Sequence, residues 1–411
     1  MAKEAVRKLL PLTSMRALAA GAIVAMHLGG HFGLPADMNH GERTPLYLGV
    51  SFFFVLSGFI LTYVYPRFDG PGDYGRFLWA RVARIWPCHL FAFLVAALVA
   101  AAFGARLDSA WRGPNLGPTL ANLGMVHSWI PSSRFYMARN APSWSISTEF
   151  GFYLVFPLLL WRLDRKWPLN LAVCLLPPAA LMVYCSRVGT PYEAASGVTV
   201  NGLLYMNPIS RVFEFALGMT AASLWRRVAP RMRIGMATGT VLELAAIGFL
   251  AASAYFWRDM AEWARTLLGA SPACNIWFSH GLTCLGFAAL IFVAALEAGW
   301  IARALSRPSL VFLGEISYAA YLLHWPLLGL AYAYLEPIRG LPNLVGLSIY
   351  VATVTAAAAF SWYVVEAPSR RFLLGLLPRR SATPAGRPAV ATPAPHVRPA
   401  ATRARAAGRE G

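Results

Sequence analysis

The chain has 411 residues, of which 57% are hydrophobic and 13% charged, and its formal net charge is +18. Such a composition excludes an ordinary soluble globular domain, in which about 45–50% of residues are apolar. Nucleic-acid binding is disfavoured too, because about 26 of the 36 basic residues fall on one predicted side of a membrane, as the positive-inside rule describes. We expect a multi-pass protein of the cytoplasmic (inner) membrane, with membrane lipids and no nucleic acid among its partners.

Apolar runs long enough to cross a bilayer recur along the sequence. They predict an all-α integral membrane protein, a bundle of about ten transmembrane helices with both termini cytoplasmic. The predicted spans are 12–32, 45–65, 86–104, 144–161, 170–186, 208–225, 236–256, 277–296, 310–334 and 343–365. Residues 1–377 form the predicted membrane domain, and the Pro-, Ala- and Arg-rich segment 378–411 is predicted to be a disordered cytoplasmic tail.

The first span carries two ionisable residues, Arg16 and His27, roughly 16 Å apart along one helix. An ionisable group inside a membrane is costly, and it therefore indicates a functional site. His31 follows His27 at i+4, a spacing that can bind zinc. Since no third ligand is near, we expect no metal site.

Arg81 and Arg84 flank the start of the third span, on its cytoplasmic side. One helical turn apart, they present two guanidinium groups to the same spot, which suits a phosphate. The alternative is a pair of positive-inside topology anchors. The connection that follows, 105–143, carries Trp129, Phe135 and Tyr136 and is either a functional loop or an interfacial aromatic lid.

The fourth span begins with W-S-I-S-T-E, which ends at Glu149. This span runs opposite to the first, so Glu149 and His27 are predicted to lie at similar depth and to meet. A carboxylate bonded to one ring nitrogen fixes the tautomer and leaves the other nitrogen as a base for an acceptor hydroxyl. The alternative is a buried polar pair that only holds two helices together.

The sixth and ninth spans carry further polar residues. Arg211 and Glu214 are spaced i,i+3 and are expected to pair, which lowers the cost of burying them. The ninth span carries a polar stripe made of Ser317, Tyr318, Tyr321 and His324. These side chains either hydrogen-bond one another in the bundle core or line a path for the acceptor. Because no G-x-S-x-G motif occurs, Ser57 and Ser145 are interpreted as packing residues. The candidates for an acceptor path are Trp144, Ser147, Tyr153, Arg211, Glu214, Tyr321 and His324.

Seven motifs follow one another between residues 10 and 373. They are L-x-x-x-R-A-L-A-A with Arg16-x10-His27, F-F-F-V-L-S-G-F, Arg81-x-x-Arg84, W-S-I-S-T-E-F-G-F-Y-L-V-F-P, R-V-F-E-F-A-L-G-M, I-S-Y-A-A-Y-L-L-H-W-P and V-V-E-A-P-S-R-R. In this order they resemble the membrane-bound acyltransferase-3 family, the group that includes surface-polysaccharide O-acetylases. Thr13-Ser14 departs from the family pattern, which usually has an acidic residue and a glycine there.

The resemblance implies an O-acyltransferase whose donor is cytoplasmic acyl-CoA, usually acetyl-CoA, with no permanently bound cofactor. Arg81 and Arg84 would then hold the donor phosphates, with Arg16 assigned to the same donor site. His27 would be the catalytic base, with Glu149 as its partner. The implied acceptors are hydroxyls of surface glycans or, in a minority, small antibiotic-like molecules. Direct transfer or an acyl-histidine intermediate both fit, and a transporter or flippase is the alternative from another class.

Overall fold

The computed structural model describes residues 7–35, 45–103, 116–338 and 342–377, and within these ranges the regular structure is entirely helical. The α-helices are α1 Leu10–His27, α2 Gly49–Val64, α3 Pro71–Phe103, α4 Leu116–Leu123, α5 Ser133–Tyr136, α6 Trp144–Leu160, α7 Leu163–Val188, α8 Pro208–Val228, α9 Met236–Leu268, α10 Asn275–Ala294, α11 Trp300–Leu305, α12 Pro308–Ile338, α13 Asn343–Phe360 and α14 Ala367–Gly375. Two π-helical segments, Gly202–Met206 and Ser361–Glu366, precede α8 and α14.

Long apolar helices confirm a multi-pass membrane protein. Among the described residues, seven helical segments are long and apolar enough to cross a bilayer. The predicted fourth, sixth and ninth spans correspond to α6, α8 and α12, which are not among the seven. Helices α3 and α9 are longer than predicted, at 33 residues each. Segment 378–411, predicted as a tail, lies outside the described residues.

Helices α2 and α8 touch backbone to backbone at two glycines. A Cβ on Gly58 would lie 2.0 Å from the carbonyl oxygen of Phe215, and one on Gly218 would lie 1.9 Å from that of Val55. Small residues permit such close approach between membrane helices. This contact holds the buried polar residues of α8 against α2.

Helix α12 packs against α1, α3 and α13, and one glycine sets its distance from α1. A Cβ on Gly314 would lie 1.9 Å from the carbonyl oxygen of Thr13. The next residue, Ser14, donates its hydroxyl to the carbonyl of Leu305. Thr13-Ser14, the pair that departs from the family pattern, therefore lies in a tight helix junction. Further along the same interface, the C-terminal end of α1 meets the middle of α12.

The connection before α6 is folded in its described part, 116–143. Trp129 donates its indole N–H to the carbonyl of Ser147 at 3.0 Å, and Tyr136 is buried. Met137, Ala141 and Pro142 line a cavity that also contains His27. The connection thus forms part of the wall of that cavity.

Candidate active site

One cavity, which we call the histidine cavity, has a volume of about 950 Å³ and is lined in part by His27. Aromatic side chains dominate its wall, and a few charged groups join them. The aromatic residues are Tyr47, Trp144, Tyr192, Tyr205, Trp257, Tyr321 and Trp325. The charged residues are Arg258, Asp259 and Glu262. The volume lies at the upper end of the range that is common for small-molecule sites.

His27 is the last residue of α1, and its ring contacts α12. Its Nδ1 lies 3.1 Å from Nε2 of His324, and the two rings are inclined by 28° with their centroids 5.1 Å apart. Trp325 meets His27 edge-on at 5.2 Å. His324 itself is fully buried, with its Nδ1 2.5 Å from the carbonyl oxygen of Tyr321. The ring of His27 is therefore held by its neighbours on α12.

The predicted meeting of His27 and Glu149 is wrong. The Glu149 carboxylate accepts hydrogen bonds from Ser57 at 2.7 Å and from Tyr153 at 2.8 Å. It lines a different cavity from His27. The prediction compared only the depths of the two residues along their helices, whereas the direction of each side chain around its helix decides contact.

The second cavity, which we call the arginine cavity, has a volume of about 200 Å³. It brings together the three arginines that the sequence assigned to a donor site, Arg16, Arg81 and Arg84, and places Glu149 beside them. Apolar side chains form most of the rest of the wall, among them Phe53, Phe54, Leu56, Ile60, Leu61 and Ile85. Three cations facing one carboxylate leave this cavity with a net positive charge.

Arg81 and Arg84 lie well inside α3 and not at its start, because the helix begins at Pro71. Arg81 donates to the Tyr65 hydroxyl at 3.3 Å, while its buried Nε has no hydrogen-bond partner among the described residues. Arg84 lies 3.4 Å from the Glu366 carboxylate. An anion in the cavity would satisfy the free N–H of Arg81, since buried donors are rarely left unpaired.

Two residues, Val50 and Tyr321, line both cavities. The Tyr321 hydroxyl lies 2.8 Å from the carbonyl oxygen of Pro142 and 2.8 Å from Oγ of Ser145. Ser145 also faces the arginine cavity, so it is more than the packing residue predicted. The cavities are therefore neighbours separated at this point by single side chains.

The structure divides the seven residues predicted for an acceptor path. Trp144 and Tyr321 line the histidine cavity, whereas Tyr153 lines the arginine cavity. Ser147 faces away from both and accepts hydrogen bonds from the backbone and the hydroxyl of Ser128. His324 reaches the cavity only through His27.

Arg211 and Glu214 pair as predicted but line neither cavity. Two hydrogen bonds, at 2.6 and 3.0 Å, join the guanidinium to the carboxylate, and both side chains are fully buried. Nδ1 of His280 lies 2.7 Å from the same carboxylate, and Ser51 accepts from Arg211 at 3.0 Å. This cluster joins α2, α8 and α10 and supports the cavity walls from behind.

Sequence reasoning missed several residues of the two sites. His280 lies in an apolar run, F-S-H-G-L-T-C, so the rule that singled out His27 could have found it. Glu366, the partner of Arg84, stands in the closing motif and carries the same signal. Tyr192 lies in the connection after α7, where burial raises the pKa of its hydroxyl to about 12. It therefore faces the histidine cavity as a neutral hydrogen-bond donor.

The two cavities thus place a histidine and a group of three arginines close together within a bundle of apolar helices. Comparison with known sequences identifies the class, because a family described as an acyltransferase domain matches residues 12–364. The chain belongs to this acyltransferase-3 family and is a membrane acyltransferase. The interpretation as a transporter is set aside accordingly.

Curated relatives agree with this assignment. The chain is 30% identical to the acyltransferase MdmB of Streptomyces mycarofaciens over 331 residues, which cover 76% of this chain and 77% of MdmB. It is 24% identical to the peptidoglycan O-acetyltransferase OatA of Listeria monocytogenes, covering 89% of this chain and 56% of OatA. It is also 24% identical to the O-acetyltransferase OatA of Staphylococcus aureus, with 88% of this chain and 57% of that OatA covered. The chain thus spans little more than half the length of the OatA proteins. No solved structure gives a significant match.

Proposed function

We propose that this protein transfers an acyl group, acetyl by preference, from cytoplasmic acyl-CoA to a hydroxyl of a surface glycan or lipid-linked saccharide. The observation that carries the proposal is the pair of adjoining cavities, one with a histidine and the other with three arginines. An acyl transfer between two substrates that never share a compartment needs such a pair. The O-acetyltransferase names of the OatA relatives support the choice of acetyl and of oxygen.

The donor occupies the arginine cavity in this proposal. Arg81 and Arg84 hold the phosphates of coenzyme A through guanidinium hydrogen bonds, and the free N–H of Arg81 gains a partner. Arg16 extends the same positive surface deeper into the bundle. In this proposal the cavity faces the cytoplasmic side of the inner membrane, where the donor is made, and the positive-inside distribution of the connections supports this orientation.

The acceptor occupies the histidine cavity, where aromatic faces suit the apolar faces of sugar rings. His27 acts as general base: its free ring nitrogen removes the hydroxyl proton as the oxygen attacks the thioester carbonyl. The carbon–oxygen bond forms, the carbon–sulfur bond breaks, and the coenzyme A thiolate leaves and takes up a proton. Transfer through an acyl-histidine is the alternative order of events.

A small hydroxylated molecule is the second candidate acceptor. The histidine cavity has the volume of a whole small-molecule site, about 950 Å³. Incubating membranes of the expressing strain with labelled acetyl-CoA separates the two candidates. A glycan or lipid-linked acceptor would keep the label in the membrane fraction, whereas a small molecule would carry it into the soluble fraction.

The experiment uses the full chain in nanodiscs and in membranes. His27→Ala should keep coenzyme A binding and lose acetyl incorporation from labelled acetyl-CoA by about 10²–10⁴-fold, the usual cost of removing a general base. The double variant Arg81→Ala/Arg84→Ala should lose coenzyme A binding. The control is Arg303→Ala in α11, which lines neither cavity. Undiminished binding in the double variant, or activity above half of wild type in His27→Ala, would contradict the proposal.

A further inference from the structure

His324 is the one side chain that hydrogen-bonds the ring of His27 among the described residues. In the site expected from sequence, a carboxylate would occupy this place and fix the tautomer of the base. Here the partner is a second imidazole, fully buried and lining neither cavity. Its own protonation state therefore decides what it can do for His27.

The hydrogen bonds of His324 determine that state. A backbone carbonyl only accepts, so the 2.5 Å contact between His324 Nδ1 and the Tyr321 carbonyl requires the proton on Nδ1. A neutral ring then has a lone pair on Nε2. Nε2 of His324 lies 3.1 Å from Nδ1 of His27, and its lone pair accepts a hydrogen bond from the Nδ1–H of His27. The Tyr350 hydroxyl, bonded to the His324 carbonyl at 2.8 Å, holds this part of α12 in place.

We propose that His324 is a positioning residue that keeps His27 in the tautomer with the proton on Nδ1 and the lone pair on Nε2. The inference rests on the proposed function, since it concerns the base assigned there. When Nε2 of His27 takes the acceptor proton, the positive charge lies on His27, whose Nδ1–H stays bonded to Nε2 of His324. His27 becomes neutral again when it gives the Nε2 proton to the leaving thiolate.

A histidine partner has consequences that a carboxylate partner lacks. A neutral imidazole stabilises a neighbouring imidazolium less than a carboxylate does, so His27 releases its proton readily. The other titratable or charged groups that share the cavity with His27 are Tyr47, Tyr192, Tyr205, Arg258, Asp259, Glu262 and Tyr321. None of these is a hydrogen-bond partner of His27 among the described residues.

Three variants in the full chain test the role, with acetyl incorporation from labelled acetyl-CoA into membranes as the readout. His324→Phe removes the hydrogen-bond acceptor for His27 and should lower the maximal rate at least tenfold, while the KM for acetyl-CoA stays unchanged. For comparison, loss of the orienting group of a catalytic triad costs up to about 10⁴-fold in rate. His324→Gln supplies an amide oxygen and should recover part of the rate. His324→Glu supplies a carboxylate and should move the acidic limb of the pH–rate profile to higher pH.

Matched measurements make each outcome decisive. His89→Gln alters another buried histidine, one that lines neither cavity, and should leave the rate and the profile unchanged. Nitrogen-15 histidine NMR of the wild-type protein, assigned with His27→Ala, should show His27 unprotonated at Nε2, and it needs no stable His324 variant. A wild-type rate in His324→Phe, or a proton on Nε2 of His27, would overturn the inference. If His27→Ala itself remained active, the proposed function and not this inference would have failed.

Discussion

Substitution of Gly314 by alanine tests whether the packing of α12 on α1 sets the geometry of His27. The new Cβ would lie 1.9 Å from the Thr13 carbonyl oxygen, against the 3.4 Å at which ordinary contact begins, so the helices must part by about 1.5 Å. If half of this opening reaches His324, the 3.1 Å contact with His27 becomes about 3.9 Å, too long for a hydrogen bond.

Two effects of Gly314→Ala can be measured separately. Overpacking a tight contact costs about 1–3 kcal/mol, offset in part by the roughly 0.5–1 kcal/mol that alanine gains over glycine in a helix. A lower thermal midpoint in detergent should reveal the difference. The maximal rate of acetyl transfer should fall about tenfold or more, because a misplacement of 1 Å at a catalytic group can cost about 10²-fold.

The matched control is Gly248→Ala in α9, where a Cβ would meet nothing within 4 Å. This variant should match or slightly exceed wild type in thermal midpoint and keep the wild-type rate. Wild-type stability and rate in Gly314→Ala would refute the reasoning, since they would mean that α1 and α12 tolerate the extra atom without moving. A loss of stability with an unchanged rate would separate the packing from the geometry of His27.

Two further predictions concern the buried charges. Glu149→Gln keeps a hydrogen-bond acceptor for Ser57 and Tyr153 but removes the negative charge of the arginine cavity. Coenzyme A should therefore bind more tightly in a titration with the purified protein. A shifted acidic limb of the pH–rate profile would instead indicate that Glu149 is coupled to His27. Glu214→Ala leaves Arg211 buried without its partner and should lower the free energy of unfolding by about 3–5 kcal/mol; a loss below about 1 kcal/mol in thermal unfolding would contradict the assigned role of the cluster.

The sequence predicted those features of the site that depend on one helix. The pairing of Arg211 with Glu214 is local, because residues spaced i,i+3 share a helix face, and it is confirmed. The sequence also assigned Arg16, Arg81 and Arg84 to one site, and all three line the arginine cavity. The identity of the protein as an acyltransferase followed from the order of seven motifs and is confirmed by the family match.

Contacts between helices lay beyond the sequence. Depth along α1 and α6 placed His27 and Glu149 at one level, yet rotation about each helix axis turned them into different cavities. His324 was 297 residues away from His27 and was assigned to the acceptor path. Its role depends on a crossing of α1 and α12 that Gly314 permits, and neither hydropathy nor spacing encodes which helices cross.

The shared wall at Val50 and Tyr321 separates the two cavities at one point. In the proposed reaction the donor stays in the arginine cavity and the acceptor stays in the histidine cavity, so only the acyl group passes between the two residues. In that reaction the size of these two side chains sets the width of the passage, so smaller residues at Val50 and Tyr321 should admit longer acyl chains.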